Sequence, residues 1–384
     1  MIMKWKRAAA LVSAALMAAA LTACGSGSSE ATTEAGSWET IPGATTASTE
    51  ASSEATTEST ETTESAATIP DGMYLSELTG EPISLDIQNQ RPITAMIDND
   101  KRAWPHFGLN DCDVVYELLN STENNDVTRL MAVMKDWGNL KQLGNIRSAR
   151  PSNVNLTAEW NAILCHDGGP VYFQNEIAAH PVPDLSGYFT RVSNGKATEF
   201  TEYITTGEIE SRCASAGIST DYTANPGSHF NFTDYGTTVD LSERSDAIDC
   251  TTGVWLPFEH THSAMLYDAS TKKYYYNEGG APANDGATGE NVGFENVIVI
   301  ECNYSIFDSN GYMEYNNVGA SGMPGYYITE GKAIPITWSK PEYSSITRYY
   351  NADGNEITMN TGRTYICYVP NDLWGGIVQG TTLY

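Results

Sequence analysis

The sequence predicts an α+β chain, an N-terminal mixed α/β domain followed by a mostly antiparallel β domain, with a disordered tether in front. Three observations carry this expectation. Apolar runs of strand length alternate with helical segments between residues 69 and 245, aromatic and polar residues alternate between turns after Cys250, and the stretch from Gly25 to Thr68 is dominated by Ser, Thr, Ala and Glu. The 384 residues, with 33 Gly, 16 Pro and 41% hydrophobic side chains, match ordinary globular protein and allow about two folded units. The expected layout is a signal peptide over 1–23, the tether over 24–68, the α/β domain over 69–245 and the β-rich domain over 251–384.

The N-terminus has the pattern of an export signal. Lys4, Lys6 and Arg7 precede an apolar run from Ala8 to Ala20 that is too short to span a membrane. Leu21-Thr22-Ala23-Cys24 then looks like the lipobox of bacterial lipoproteins, which makes Cys24 the expected lipidation site and the membrane the expected partner of that anchor. The segment after it contains eight Glu, no Lys or Arg, and Trp38 as its only aromatic. Such a composition cannot offset its ordering entropy by burial, so it reads as a solvated stalk between anchor and domains.

Folded sequence begins near Ile69-Pro70. Ile93 to Asp98, Val114 to Leu119 and Val127 to Met134 are apolar enough for strands buried on both faces. Ser152 to Trp160 reads as a helix that delivers the chain into a strand from Asn161 to Cys165, ending at His166-Asp167-Gly168-Gly169. A second helix is expected from Thr206 to Ala216, with Thr206 as its cap, Glu208 in its first turn and Gly217 at its end. Past Cys250, Tyr267 to Tyr276 reads as strand, turn, strand, Asn296 to Cys302 as a strand, and Tyr349 to Thr358 as a hairpin about Asp353-Gly354.

Charge excludes one class of partner. Twenty-one Lys and Arg against 48 Asp and Glu leave a net of −27, which repels a phosphate backbone, so nucleic acid is not expected. Cysteine is less decisive. Once Cys24 is set aside, six remain, an even number that admits either three disulfides or buried free thiols, and no CxxC spacing points to zinc or a redox pair.

Within this acidic chain, Gly144-Asn145-Ile146-Arg147-Ser148-Ala149-Arg150-Pro151 sets two guanidinium groups three residues apart. Arg147 and Arg150 are therefore candidate anion-binding residues, since guanidinium grips carboxylate or phosphate bidentately, although both could equally pair with the protein's own carboxylates. Asp98 and His166 stand at the ends of two expected strands and would meet this loop if those strands are parallel neighbours, which makes them candidate catalytic acid or base. His260-Thr261-His262 places two imidazoles on one face of an expected strand, without a third metal ligand. The expectation is no metal and no cofactor.

A longer pattern appears when these segments are taken in order. Leu78-Thr79-Gly80-Glu81-Pro82, Arg91 to Asn99, Asp113 to Glu117, Thr128 to Ala132, Ile146 to Pro151 and His166 to Gly169 resemble the YerB-like lipoprotein family of Gram-positive bacteria. Gly280-Ala281-Pro282, Asp285, Thr288-Gly289, Asn296 to Val299 and Gly362 to Ile366 resemble its second domain. The resemblance covers about residues 75–370 and implies a two-domain extracytoplasmic lipoprotein without implying a reaction. Ala283 and Lys196-Ala197-Thr198-Glu199 stand where the family pattern has histidine-bearing segments.

The function expected is a non-catalytic binding or interaction protein of the cell envelope, with an envelope protein or polymer as partner. Two alternatives belong to other classes. One is a hydrolase or transferase on an anionic envelope substrate, and the other is a solute-binding lipoprotein, for which two similar α/β lobes would be expected. The observation that separates them is whether Asp98, Arg147, Arg150 and His166 converge on one pocket.

Overall fold

Three strands with no polar stripe at all form the middle of the molecule: β1 (Ile93–Asp98), β2 (Val114–Leu119) and β3 (Thr128–Met134), every residue of which is buried. Both of their faces are covered, which is why their sequences read as largely apolar runs rather than as alternation. In the computed structural model, which describes residues 66–123 and 126–379, they belong to an eleven-stranded mixed sheet. The remaining strands are β4 (Ile163–His166), β5 (Asp184–Ser186), β6 (Ile248–Asp249), β7 (Asn296–Cys302), β8 (Ala320–Thr329), β9 (Lys332–Lys340), β10 (Arg348–Tyr350) and β11 (Thr364–Pro370). Their order is β6-β9-β8-β7-β11-β2-β3-β1-β4-β5, with β10 also on β9.

The architecture is mixed α/β and then β-rich, and the sheet does not stop where the sequence changes texture. β11, from the C-terminal half, lies parallel to β2 with Ile366 opposite Tyr116, and β7 lies parallel to β11 in turn. The described residues accordingly belong to one compact unit. A second, six-stranded sheet is built about the hairpin of Ala264–Asp268 and Lys273–Glu278, the strand, turn, strand expected from the sequence. Among the described residues no helix is long and apolar enough to cross a membrane. The signal peptide, Cys24 and the tether as far as Ser65 lie outside the described residues.

Three α-helices flank the sheet in the described chain: α1 (Pro151–Glu159), α2 (Val171–Ala179) and α3 (Glu208–Ala216). Helix α1 opens on Pro151, whose missing N–H costs nothing at that position, and the Asn153 side chain accepts the Arg150 N–H at 2.7 Å. Almost all of α1 is buried, polar residues included, and these are matched individually: Thr157 with Thr94 at 2.8 Å, Asn155 with Asn317 at 3.0 Å, and Ser152 with the Tyr315 N–H at 2.8 Å.

Four expectations need correction. Helix α2 is absent from the elements expected above; it buries only Phe173 fully, so no apolar period marks it in the sequence. Thr206 does not cap α3. Gly207 holds the cap position with φ 73°, while the Thr206 hydroxyl donates to the Leu140 carbonyl at 2.9 Å; Gly217 does close the helix at φ 69°. The segment about Asp353-Gly354 turns as expected, but Thr358–Met359 leaves to pair with Asn231–Phe232, so only the Tyr350–Glu356 bridge remains of the hairpin. His260-Thr261-His262 is a turn, not a strand, with the His262 N–H donating to Phe258 at 2.9 Å. The six cysteines, Cys112, Cys165, Cys213, Cys250, Cys302 and Cys367, are all buried free thiols, and burial pushes the Cys250 thiol up to about 12.

Candidate functional site

The topology brings chemistry to one end of the sheet. Strands β1, β2 and β4 run the same way and β3 runs against them, so Asp98-Asn99, Leu119-Asn120, Thr128-Arg129 and His166-Asp167 emerge together. This is the carboxyl end of the parallel strands, where α/β sheets leave room for ligands. The loop Gly144–Arg150 is laced across it by backbone bonds. Asn145 accepts the Asp98 N–H at 3.1 Å, Arg147 donates to Met96 at 2.9 Å and accepts from Asp167 at 3.0 Å, and Ala149 donates to Gly168 at 3.1 Å.

This lacing carries the two loop arginines toward Asp98, and β3 adds a third. Buried Asp98 lies 2.8 Å from Arg147 Nε and 3.8 Å from Arg129. Arg129 and Arg150 both donate to the Ser148 hydroxyl, at 3.2 and 3.3 Å, and the Arg150 guanidinium stacks 4.4 Å above the Tyr312 ring. Among the described residues no carboxylate lies within ion-pair distance of Arg150, and neither Arg150 Nε nor Arg129 Nε has a hydrogen-bond partner. Burial, with Arg129 second, pushes the Arg150 guanidinium down to about 9. Burial likewise lowers Arg129. A cavity of about 10 Å³ beside Arg129, Arg150, Asn120 and Ser152 is the size of one water molecule.

Arg147 is the solvent-facing member, its side chain 27% exposed and shared with Glu199 at 3.2 Å. Glu199 is itself 44% exposed and also lies 4.0 Å from Arg102, which is paired with Asp100 at 2.9 Å. A surface carboxylate thus occupies the outer side of the arginine cluster.

The structure therefore brings Asp98, Arg147 and Arg150 together, and sets His166 apart from them. The His166 ring is 1% exposed; Nδ1 lies 2.8 Å from the Gly168 carbonyl and Nε2 lies 3.1 Å from Asp184, with Phe173 against its face. These contacts orient the β4 end, and none of them belongs to the arginine cluster.

Two features escape a reading of the sequence. Arg129 lies within an apolar strand run, and a lone charge there is the available signal, because an Arg surrounded by buried neighbours requires a partner. Behind the cluster, Glu117 is fully buried and accepts from Thr128 at 2.6 Å, Ser263 at 2.7 Å and Asn99 at 3.2 Å, and also from the Tyr365 hydroxyl. Asn99 continues to Tyr276 at 2.9 Å and to His106, whose ring meets Glu278 at 3.0 Å. Burial raises the Glu117 carboxyl. This network fastens the ends of β1, β2 and β3 to the C-terminal half and so holds the platform under the arginines.

Comparison with known proteins places this architecture. Residues 78–219 match the family described as Protein of unknown function (DUF3048) N-terminal domain, and residues 254–366 match its C-terminal domain. The chain is 23% identical over 306 residues to "Putative lipoprotein YerB" of Bacillus subtilis strain 168, covering 77% of this chain and 86% of that protein. The crystal structure of the Bacillus subtilis YerB protein superposes with a TM-score of 0.67 at 20% identity, over 80% of this chain and all of that one, and shares the fold. With both of its domains matched in order about one shared sheet, the chain belongs to the YerB-like family.

Proposed function

We propose that this protein is a lipid-anchored lipoprotein on the extracytoplasmic face of the membrane whose folded unit binds, without catalysis, an anionic group of an envelope protein or polymer at the Asp98–Arg147–Arg150 site. One observation carries the binding reading: two guanidiniums meet a single buried carboxylate and a third, Arg150, joins them through the Ser148 hydroxyl, in a chain of net charge −27. Arg150 is a buried cation with no carboxylate in ion-pair reach, and a ligand carboxylate or phosphate beside Arg147 supplies the missing charge by displacing Glu199. Asp98, held between Arg147 and Arg129, serves as the fixed counter-charge that orients them.

The anchor rests on Leu21-Thr22-Ala23-Cys24 and on the name of the relative. Cys24→Ala is expected to release the protein from the membrane fraction or leave an uncleaved precursor; normal cleavage with full membrane retention removes this part of the reading. Binding is tested by titrating the soluble folded chain with inorganic phosphate and succinate. Saturable binding that is lost in Arg147→Ala/Arg150→Ala, with a native circular-dichroism spectrum, is the expected result. Wild-type protein that binds neither anion, or a double variant that binds as well as wild type, overturns it.

A further inference from the structure

A second depression opens beyond the ends of β4 and β5, lined by none of the three arginines of the cluster. Its volume is about 570 Å³, inside the range of roughly 300–1,000 Å³ of ordinary small-molecule sites, and Asp167, Gly187, Tyr188, Phe189 and Arg191 line it. Two features distinguish it from a casual surface dip.

The first is an exposed aromatic. Tyr188 is 97% exposed, although it lies between buried Gly187 and Phe189. Gly187 and Tyr188 are both left-handed, at φ 55° and 58°, and this turn directs the phenol ring outward while its neighbours face in. The second is a carboxyl pair closed by one guanidinium. Glu202, fully buried, lies 2.5 Å from Arg191 and accepts the Phe189 N–H at 2.8 Å; the partly exposed Asp167 lies 3.7 Å from the same Arg191. Burial, and then the Asp167 carboxyl hydrogen-bonded to it, raise the Glu202 carboxyl. With Arg191 opposite, the floor offers both acceptors and donors.

We propose that this depression is a binding site for an uncharged sugar ring of a glycan chain. The apolar CH face of a pyranose stacks on Tyr188, and its hydroxyls hydrogen-bond the Asp167 carboxylate and the Arg191 guanidinium. Two carboxylates against one guanidinium disfavour the phosphate or carboxylate ligands that the arginine cluster favours, and the exposed ring supplies the apolar face that a sugar needs.

The test uses the full folded unit and two soluble probes, the β-1,4-linked tetrasaccharides of N-acetylglucosamine and of glucose, followed by titration calorimetry and tyrosine fluorescence. Saturable binding of either probe is expected, weakened at least tenfold in Tyr188→Ala and in Asp167→Asn, retained in Tyr188→Phe, and unchanged in Arg147→Ala/Arg150→Ala. Tyr188 is almost entirely in solvent, so its variants are expected to melt within a degree or two of wild type. No binding of either tetrasaccharide, equal binding by Tyr188→Ala, or competition by inorganic phosphate each overturns the proposal.

Discussion

The two ends of helix α1 present buried charge in opposite ways. At its C-terminal end Glu159 receives the Lys340 ammonium at 2.6 Å, the Thr347 hydroxyl at 2.9 Å and, through its other oxygen, the Tyr116 hydroxyl at 3.1 Å, and both ions are almost wholly buried. Charge there is matched one for one, and both carboxylate oxygens are used. At its N-terminal end Arg147 and Arg129 meet Asp98 and Arg150 joins them through Ser148, with donors to spare and a surface glutamate on the outer side. A matched pair has nothing left for a ligand and works as a structural clamp between α1 and β9. An unmatched cluster is less stable than it would be with an anion present, and under the proposed function that deficit would favour binding.

The comparison breaks most visibly at the clamp. Lys340→Met leaves Glu159 charged and without its counter-ion, and is expected to lower unfolding free energy by about 3–5 kcal/mol in a urea titration, with Glu159→Leu in the same chain restoring part of the loss. If Arg147→Ala/Arg150→Ala lowers stability as much, the two ends of α1 are alike and the arginines are structural. The expected loss there is about 1–2 kcal/mol, because the Arg147 ion pairs are partly exposed and Arg150 gives up hydrogen bonds but no carboxylate partner.

Asp113 sharpens the contrast as an unmatched acid. Its carboxylate accepts the Lys135 N–H at 2.6 Å, and burial pushes it up to about 7. A carboxyl raised in the folded state binds its proton more tightly there than in the unfolded chain, so stability is fullest below about pH 4 for this group and is lost as pH rises through about 7. Asp113→Asn is therefore expected to be more stable than wild type at pH 8 and nearly equal to it at pH 4, read from melting temperatures across that range. A variant that is less stable at both pH values shows that the ionised form is the one the fold needs.

The smallest effect belongs to Glu199. Glu199→Gln removes an exposed competitor of Arg147, so stability is expected to change by less than about 0.5 kcal/mol while affinity for inorganic phosphate rises several-fold. Unchanged affinity would mean that Glu199 does not stand in the ligand's place.

Local chemistry settled much of this molecule in advance. The largely apolar runs of β1, β2 and β3 announced strands covered on both faces, Gly217 marked a helix end, and the strand-end positions of Asp98 and His166 made both candidates to meet the Arg147 loop should their strands be parallel neighbours. These are properties of periodicity and backbone preference, which act over a few residues and are therefore written in the sequence. Other features depend on which distant segments meet. Nothing local says that β11 lies beside β2 across some 250 residues, that Glu117 is answered by Ser263 and Tyr365, that His166 turns to Asp184 instead of Asp98, or that Arg129 completes the arginine cluster. Each is a pairing of a buried group with a partner far along the chain, and because burial strengthens such pairings while leaving their residue types ordinary, only the tertiary structure could choose among them.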